Sequence, residues 1–187
     1  MAATATQASI GKSGNKTSLE SSAGARQGEG ELLQLVSFTV GTEEFAIPIL
    51  SVQEINRMLE ITRVPGSPAS VEGVINLRGK IIPVMNLRQR FGLANAEKSN
   101  DERIIVVEVD SRVIGFTVDR VNEVLRIGAS IVEPPPQMVC GIDSDYVQGV
   151  GKLDDRLLIL LSLDRLFSAA ELAAVERAAT EATGAKG

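Results

Sequence analysis

The chain contains no histidine and no tryptophan, and its only cysteine is Cys140. Without histidine there is no Ser-His or Cys-His nucleophile, no imidazole metal ligand and no histidine phospho-acceptor. A lone cysteine excludes an intramolecular disulfide and a thiolate metal cluster. It reads instead as a small buried hydrophobe. Aromatic residues make up 3% of the chain, so a core of Val, Ile and Leu is expected, a bias that favours strands. No apolar run is long enough to span a bilayer, and the N-terminal segment has no signal-peptide core. A cytoplasmic protein is the expectation. The net charge of −5 argues against nucleic acid or an anionic membrane as the main partner.

What is present is a repeat. Phe38-Thr39-Val40 and the run from Phe45 to Ile55 return without a gap as Val107-Glu108-Val109 and the run from Ile114 to Val124. A second pair follows, in which Val74, Leu77, Gly79, Ile82, Val84, Leu87 and Phe91 match Val150, Leu153, Asp155, Leu158, Leu160, Leu163 and Phe167. Apolar positions match apolar positions while several polar ones differ. A duplicated β unit of about 70 residues follows from this.

Residues 1–30 are rich in Ala, Ser, Gly, Thr and Gln without apolar periodicity, and are expected to be a disordered tail. Gly11-Lys12-Ser13 lacks the rest of a phosphate loop, having Thr6 where that loop needs glycine. Beyond the tail, alternating patterns and turn residues predict strands over 35–40, 45–49, 71–77, 80–85, 104–109, 113–118, 121–127, 146–153 and 157–161. Val52, Ile55 and Leu59 fit a short helix or a bent strand equally well. Pro48 belongs at an edge or a bulge. Ser168-Ala169-Ala170-Glu171 is a capping box opening a helix over 168–182, with Leu172, Val175 and Ala179 on one face. The fold class expected is all-β: two SH3-like five-stranded antiparallel barrels, about 35–92 and about 103–167, plus the C-terminal helix. Exchange of elements between the barrels is allowed for.

No catalytic constellation appears. The carboxylates at Asp154-Asp155, Asp143, Asp145 and Glu43-Glu44 lie in predicted turns, where they serve solvation. No catalytic residue, metal ligand or cofactor is therefore expected, and the chain reads as a protein that binds proteins. The two copies act as mutual controls. The turn Asn76-Leu77-Arg78-Gly79 corresponds to Lys152-Leu153-Asp154-Asp155, so the fold does not require an arginine at 78. Arg78 is a solvated turn residue or an anchoring interface arginine. Glu54 keeps its charge in Glu123, which suits a structural role as well as recognition.

Val52-Gln53-Glu54-Ile55, the run Gly73-Val74-Ile75-Asn76-Leu77-Arg78-Gly79-Lys80-Ile81-Ile82-Pro83-Val84, and Ile114-Gly115-Phe116-Thr117-Val118-Asp119 together resemble the CheW-like family of chemotaxis coupling proteins. The resemblance covers the ordered chain, about 31–183. It implies a non-enzymatic adaptor with a hydrophobic groove between its barrels. That groove would accept the helical hairpin tip of a methyl-accepting chemoreceptor, and the first barrel would dock on the regulatory domain of the histidine kinase CheA. On matching positions, Arg78, Glu54, Val52 and Ile55 would face the receptor, with Val121 and Val124 as groove wall. Val52, Ile55, Val121 and Val124 also read as core. The kinase face would lie around Arg63, Val64, Pro65 and Gly73. Membrane association would come through partners, without insertion. The alternative, a nucleic-acid-binding pair of barrels, needs a basic face and stacking aromatics that this chain has little of.

Overall fold

The computed structural model describes residues 30–95, 97–136, 138–139 and 142–184. The tail expected over 1–30 (Gly30 apart) and Cys140 lie outside the described residues. Strands run in chain order as β1 (Leu32–Val40), β2 (Glu43–Pro48), β3 (Val52–Arg57), β4 (Val71–Leu77), β5 (Lys80–Asn86), β6 (Arg103–Val109), β7 (Arg112–Val118), β8 (Arg120–Gly128), β9 (Val132–Glu133), β10 (Met138–Val139), β11 (Ile142–Asp143), β12 (Val147–Lys152) and β13 (Leu157–Leu161). Among the described residues three α-helices, α1 (Leu87–Arg90), α2 (Leu163–Leu166) and α3 (Ala169–Gly184), and 3-10 turns at Ile49–Ser51, Ala129–Ile131 and Ser144–Tyr146 complete the order. The ambiguous stretch after Pro48 is a single 3-10 turn, Ile49–Ser51, followed by strand β3.

The strands form two main sheets, ordered β8-β1-β2-β13-β12-β9 and β3-β6-β7-β5-β4. We call them the β1 barrel and the β6 barrel. Neither is a contiguous stretch of chain. Hairpin β1–β2 joins strands from the second copy, and hairpin β6–β7 joins strands from the first, so barrels drawn at 35–92 and 103–167 do not describe the sheets. Short connections cause this: Ile49–Ser51 turns the chain out of its sheet after β2, and Asp119 does so after β7. The exchange also makes one pairing in each barrel parallel, β2 with β13 and β7 with β5, where all-antiparallel sheets were expected. The repeat is kept in register. Ala46 lies opposite Leu160 as Gly115 lies opposite Val84, and Phe38 faces Phe45 as Val107 faces Ile114.

The largest core lies between the barrels. All five phenylalanines of the chain belong to it, with ring centroids 5.1 to 6.5 Å apart along the series Phe91, Phe45, Phe38, Phe116 and Phe167. The scarce aromatics are thus concentrated at the centre, and the core is not purely aliphatic. The barrel interiors are smaller: Leu35, Ala46, Ile127, Leu158 and Leu160 fill one, and Ile75, Ile82, Val84, Ile104 and Val106 fill the other. Ser37 occupies the position that Val106 holds in the second copy. It is fully buried and its hydroxyl has no hydrogen-bond partner among the described residues.

One strut ties the crossover after β7 to its surroundings. Arg88 Nε and Nη2 donate to Asp119 Oδ1 and Oδ2 at 2.8 and 2.7 Å, and the Gly41 amide donates to Oδ2 at 2.8 Å. The hydrogen bonds to Asp119 raise the Arg88 pKa above its ordinary value. The corresponding crossover residue in the first copy is Leu50, 97% exposed. The capping box forms as predicted: the Ser168 amide and hydroxyl donate to Glu171 Oε2 at 3.1 and 2.7 Å. Leu172, on α3, is buried; the side chains of Val175 and Ala179 lie outside what is described. Arg90 pairs with Glu171 and lies 4.8 Å above the Tyr146 ring, joining α1, α3 and the second copy.

Candidate functional site

Strands β3 and β8 are equivalent edge strands, and each carries a register shift at the same place. In β3 the shift falls between Val52 and Glu54, opposite Val107 and Val106. In β8 it falls between Val121 and Val124, opposite Phe38 and Val36. Residues three apart on a regular strand face opposite sides of the sheet; an inserted bulge residue puts them on the same side. Val52 and Ile55 therefore both lie opposite residues of the inter-barrel core, Val107 and Ile105, as Val121 and Val124 lie opposite Phe38 and Val36. Val52 and Val121 pack half-buried against that core, while Ile55 and Val124 are 40% and 57% exposed. A core reading thus fails for Ile55 and Val124. Each edge strand ends the central core in an apolar pair, one residue anchored and one open to solvent.

Charged residues stand beside both pairs. The β4–β5 turn places Arg78 at φ 54° and Gly79 at φ 83°, the two positive values of a type I′ turn. The Asn76 side chain caps it, accepting from the Gly79 amide at 2.9 Å. Asp154 and Asp155 have negative φ, and the loop from β12 to β13 spans residues 153–156 where that from β4 to β5 spans 78–79, so neither turn type nor loop length is shared between the copies. Arginine in the left-handed region is uncommon and costs roughly 1 kcal/mol. The fold does not need it there, so the outlier itself points to a role for the side chain. From this turn Arg78 Nη2 donates to Glu54 Oε1 at 3.1 Å, with the arginine side chain 80% exposed. Arg78, Glu54, Val52 and Ile55 are thus gathered at one edge.

The equivalent edge of the β1 barrel carries a pairing that comparison of the turns missed. Arg156 Nη2 lies 2.6 Å from Glu123 Oε1, and its Nε lies 3.2 Å from Glu44 Oε2. The hydrogen bond to Glu123 and the charge of Glu44 raise the Arg156 pKa. Both barrels therefore bridge an arginine of the hairpin turn to a glutamate of the edge strand. The signal was displaced by two residues: Arg156 aligns with Lys80, not with Arg78.

The other predicted cluster divides in two. Val64-Pro65-Gly66-Ser67 is a turn with Gly66 at φ 77° and the Ser67 amide donating to the Val64 carbonyl at 3.3 Å. Val64 is buried against Val74 and Ile81. Gly73 has no side chain because the Thr62 carbonyl occupies the place a Cβ would take, where Thr62 bridges to Val74. Val64 and Gly73 thus serve the fold, while Arg63 and Pro65 are exposed. Arg63 and Val64 border a polar depression of about 480 Å³ that also meets Glu72, Arg88 and Asp119. Among the described residues no group of His, Cys, Asp and Glu could hold a metal ion, and no helix is long and apolar enough to cross a membrane.

Two interlocked barrels with apolar edges and paired charges define a protein-interaction module. The model of the CheW-like domain matches residues 34–171, and the chain belongs to the CheW-like family. It is 38% identical to the chemotaxis protein CheW of Helicobacter pylori over 148 residues, covering 79% of this chain and 89% of that one. It is likewise 38% identical to CheW of Treponema pallidum over 146 residues, 76% of this chain and 86% of the relative. The crystal structure of the scaffolding protein TtCheW from Thermoanaerobacter tengcongensis superposes with a TM-score of 0.70 at 40% identity, covering 75% of this chain and 91% of that one.

Proposed function

We propose that this chain couples methyl-accepting chemoreceptors to the histidine kinase CheA, binding both at once and performing no chemistry. The receptor's helical hairpin tip lies against the apolar edges of β3 and β8, contacting Val52, Ile55, Val121 and Val124, with Arg78 and Glu54 as the polar contacts. The observation that carries this reading is Arg78, held exposed in a strained turn and paired with Glu54 of the edge strand that also carries the exposed Ile55. The kinase docks on the loop of Arg63 and Pro65, which Val64 and Gly73 hold in place. Binding two partners on separate faces raises their effective concentration and fixes their geometry. The adaptor works in the cytoplasm and reaches the membrane only through its receptors.

Co-sedimentation with receptor cytoplasmic fragments and kinase tests the proposal. Kinase activity becomes receptor-controlled when the chain is present, and Arg78→Glu weakens the receptor contact while the protein stays folded. Receptor binding unchanged in Arg78→Glu, or lost only together with thermal stability, removes Arg78 from the interface. The acidic charge and the family membership leave no support for the nucleic-acid alternative.

A further inference from the structure

The two edge strands share a plan but differ in how firmly their glutamates are held. Arg78 reaches one carboxylate and is 80% exposed, so a partner can draw it away from Glu54 at small cost. Arg156 touches two carboxylates, from two strands, and its side chain is 39% exposed. One of them, Glu44, is 14% exposed at the side chain and also accepts from Asn122 Nδ2 at 3.1 Å. Asn122 in turn exchanges hydrogen bonds with Thr39 at 3.1 and 3.2 Å. Asn122 and Glu123 lie within the β8 register shift, between Val121 and Val124. The segment presenting the exposed Val124 is therefore tied to β1, β2 and the β12–β13 turn, with Arg156 as the cation between two acids.

We propose that Arg156 is a positioning residue for receptor binding: by holding Glu123 against Glu44 it fixes the β8 bulge, and with it the placement of Val121 and Val124. Without the guanidinium, Glu44 and Glu123 repel each other across the space it filled. Glu44 is the more buried partner, so Glu123 and the bulge are the side that yields. The β6 barrel supplies the releasable arginine and the β1 barrel the fixed wall. This inference rests on the receptor reading above.

Affinities of the full-length protein for a receptor cytoplasmic fragment and for the kinase regulatory domain, with the melting temperature, test it. Arg156→Gln is expected to weaken receptor binding at least fivefold and to leave kinase binding within twofold. Arg156→Lys, which keeps the charge, stays within threefold of wild type for the receptor. The double variant Arg156→Gln/Glu44→Gln recovers most of the lost affinity, because removing one acid relieves the repulsion and Glu44 is too buried to be a contact. Receptor affinity unchanged in Arg156→Gln, while Arg78→Glu lowers it, overturns the inference and leaves the receptor reading standing. A double variant as weak as the single one also overturns it, by making Arg156 a direct contact. No receptor binding by the wild-type chain removes both.

Discussion

Replacing Arg78 by Asn separates what the turn needs from what the partner needs. Asn-Gly is the preferred pair for a type I′ turn, because asparagine tolerates positive φ. Relief of the left-handed arginine at φ 54° is worth up to about 1 kcal/mol. Against it stands the ion pair with Glu54, whose arginine side is 80% exposed, and such pairs are worth about 0–1 kcal/mol. The stability change thus lies near zero or is favourable by up to about 1 kcal/mol. For a domain of this size that is a melting temperature unchanged or raised by roughly 2–4 °C. Receptor binding moves the other way. An anchoring arginine is typically worth about 2 kcal/mol, close to thirtyfold in affinity. Calorimetric melting and a receptor-fragment titration on the same preparation read both quantities. A clear fall in melting temperature would show that arginine serves the turn, and an unchanged affinity would show that it serves no receptor.

The buried Ser37 hydroxyl has no partner among the described residues, so Ser37→Ala is expected to stabilise the protein by up to about 1 kcal/mol; destabilisation in chemical denaturation would mean that the hydroxyl is satisfied. Gly73→Ala drives a methyl into the Thr62 carbonyl and separates β4 from its bridge, costing about 2 kcal/mol and seen as a midpoint shift in urea. Burial works to raise the Glu171 pKa, but its hydrogen bonds to Ser168 and the charge of Arg90 outweigh that and hold it below the ordinary carboxylate value. A lowered carboxyl pKa stabilises the fold above the ordinary carboxylate range, and the stabilisation fades as pH falls through the folded value. Acid titration of helicity should accordingly show a step that Glu171→Gln abolishes; an unaltered curve would assign the step elsewhere.

The strands, their turns and the capping box were legible because alternation and turn chemistry are local properties. The exchange of hairpins was not. Phe38, Val40, Phe45 and Ile47 show the same apolar pattern whichever barrel their hairpin completes, and only the short Ile49–Ser51 connection decides. The bulges explain the ambiguity at Val52 and Ile55. Apolar residues at i and i+3 signal a helix turn, and a strand with one inserted residue shows the same spacing. Arg78 stood out because its counterpart is Asp154. Arg156 did not, because its counterpart Lys80 keeps the charge while the partner carboxylates lie far away in sequence, on β2 and β8.

The crossed hairpins carry a consequence for how this protein can be divided. A cut between α1 and β6 severs no barrel from the other. It leaves two fragments that each hold part of both sheets, and each fragment exposes strands whose ladder partners are on the other. Neither fragment has a closed barrel of its own, so the two are expected to reassemble on mixing rather than to fold apart. The two copies of the repeat are in this way one indivisible object, whose faces cannot drift apart in solution.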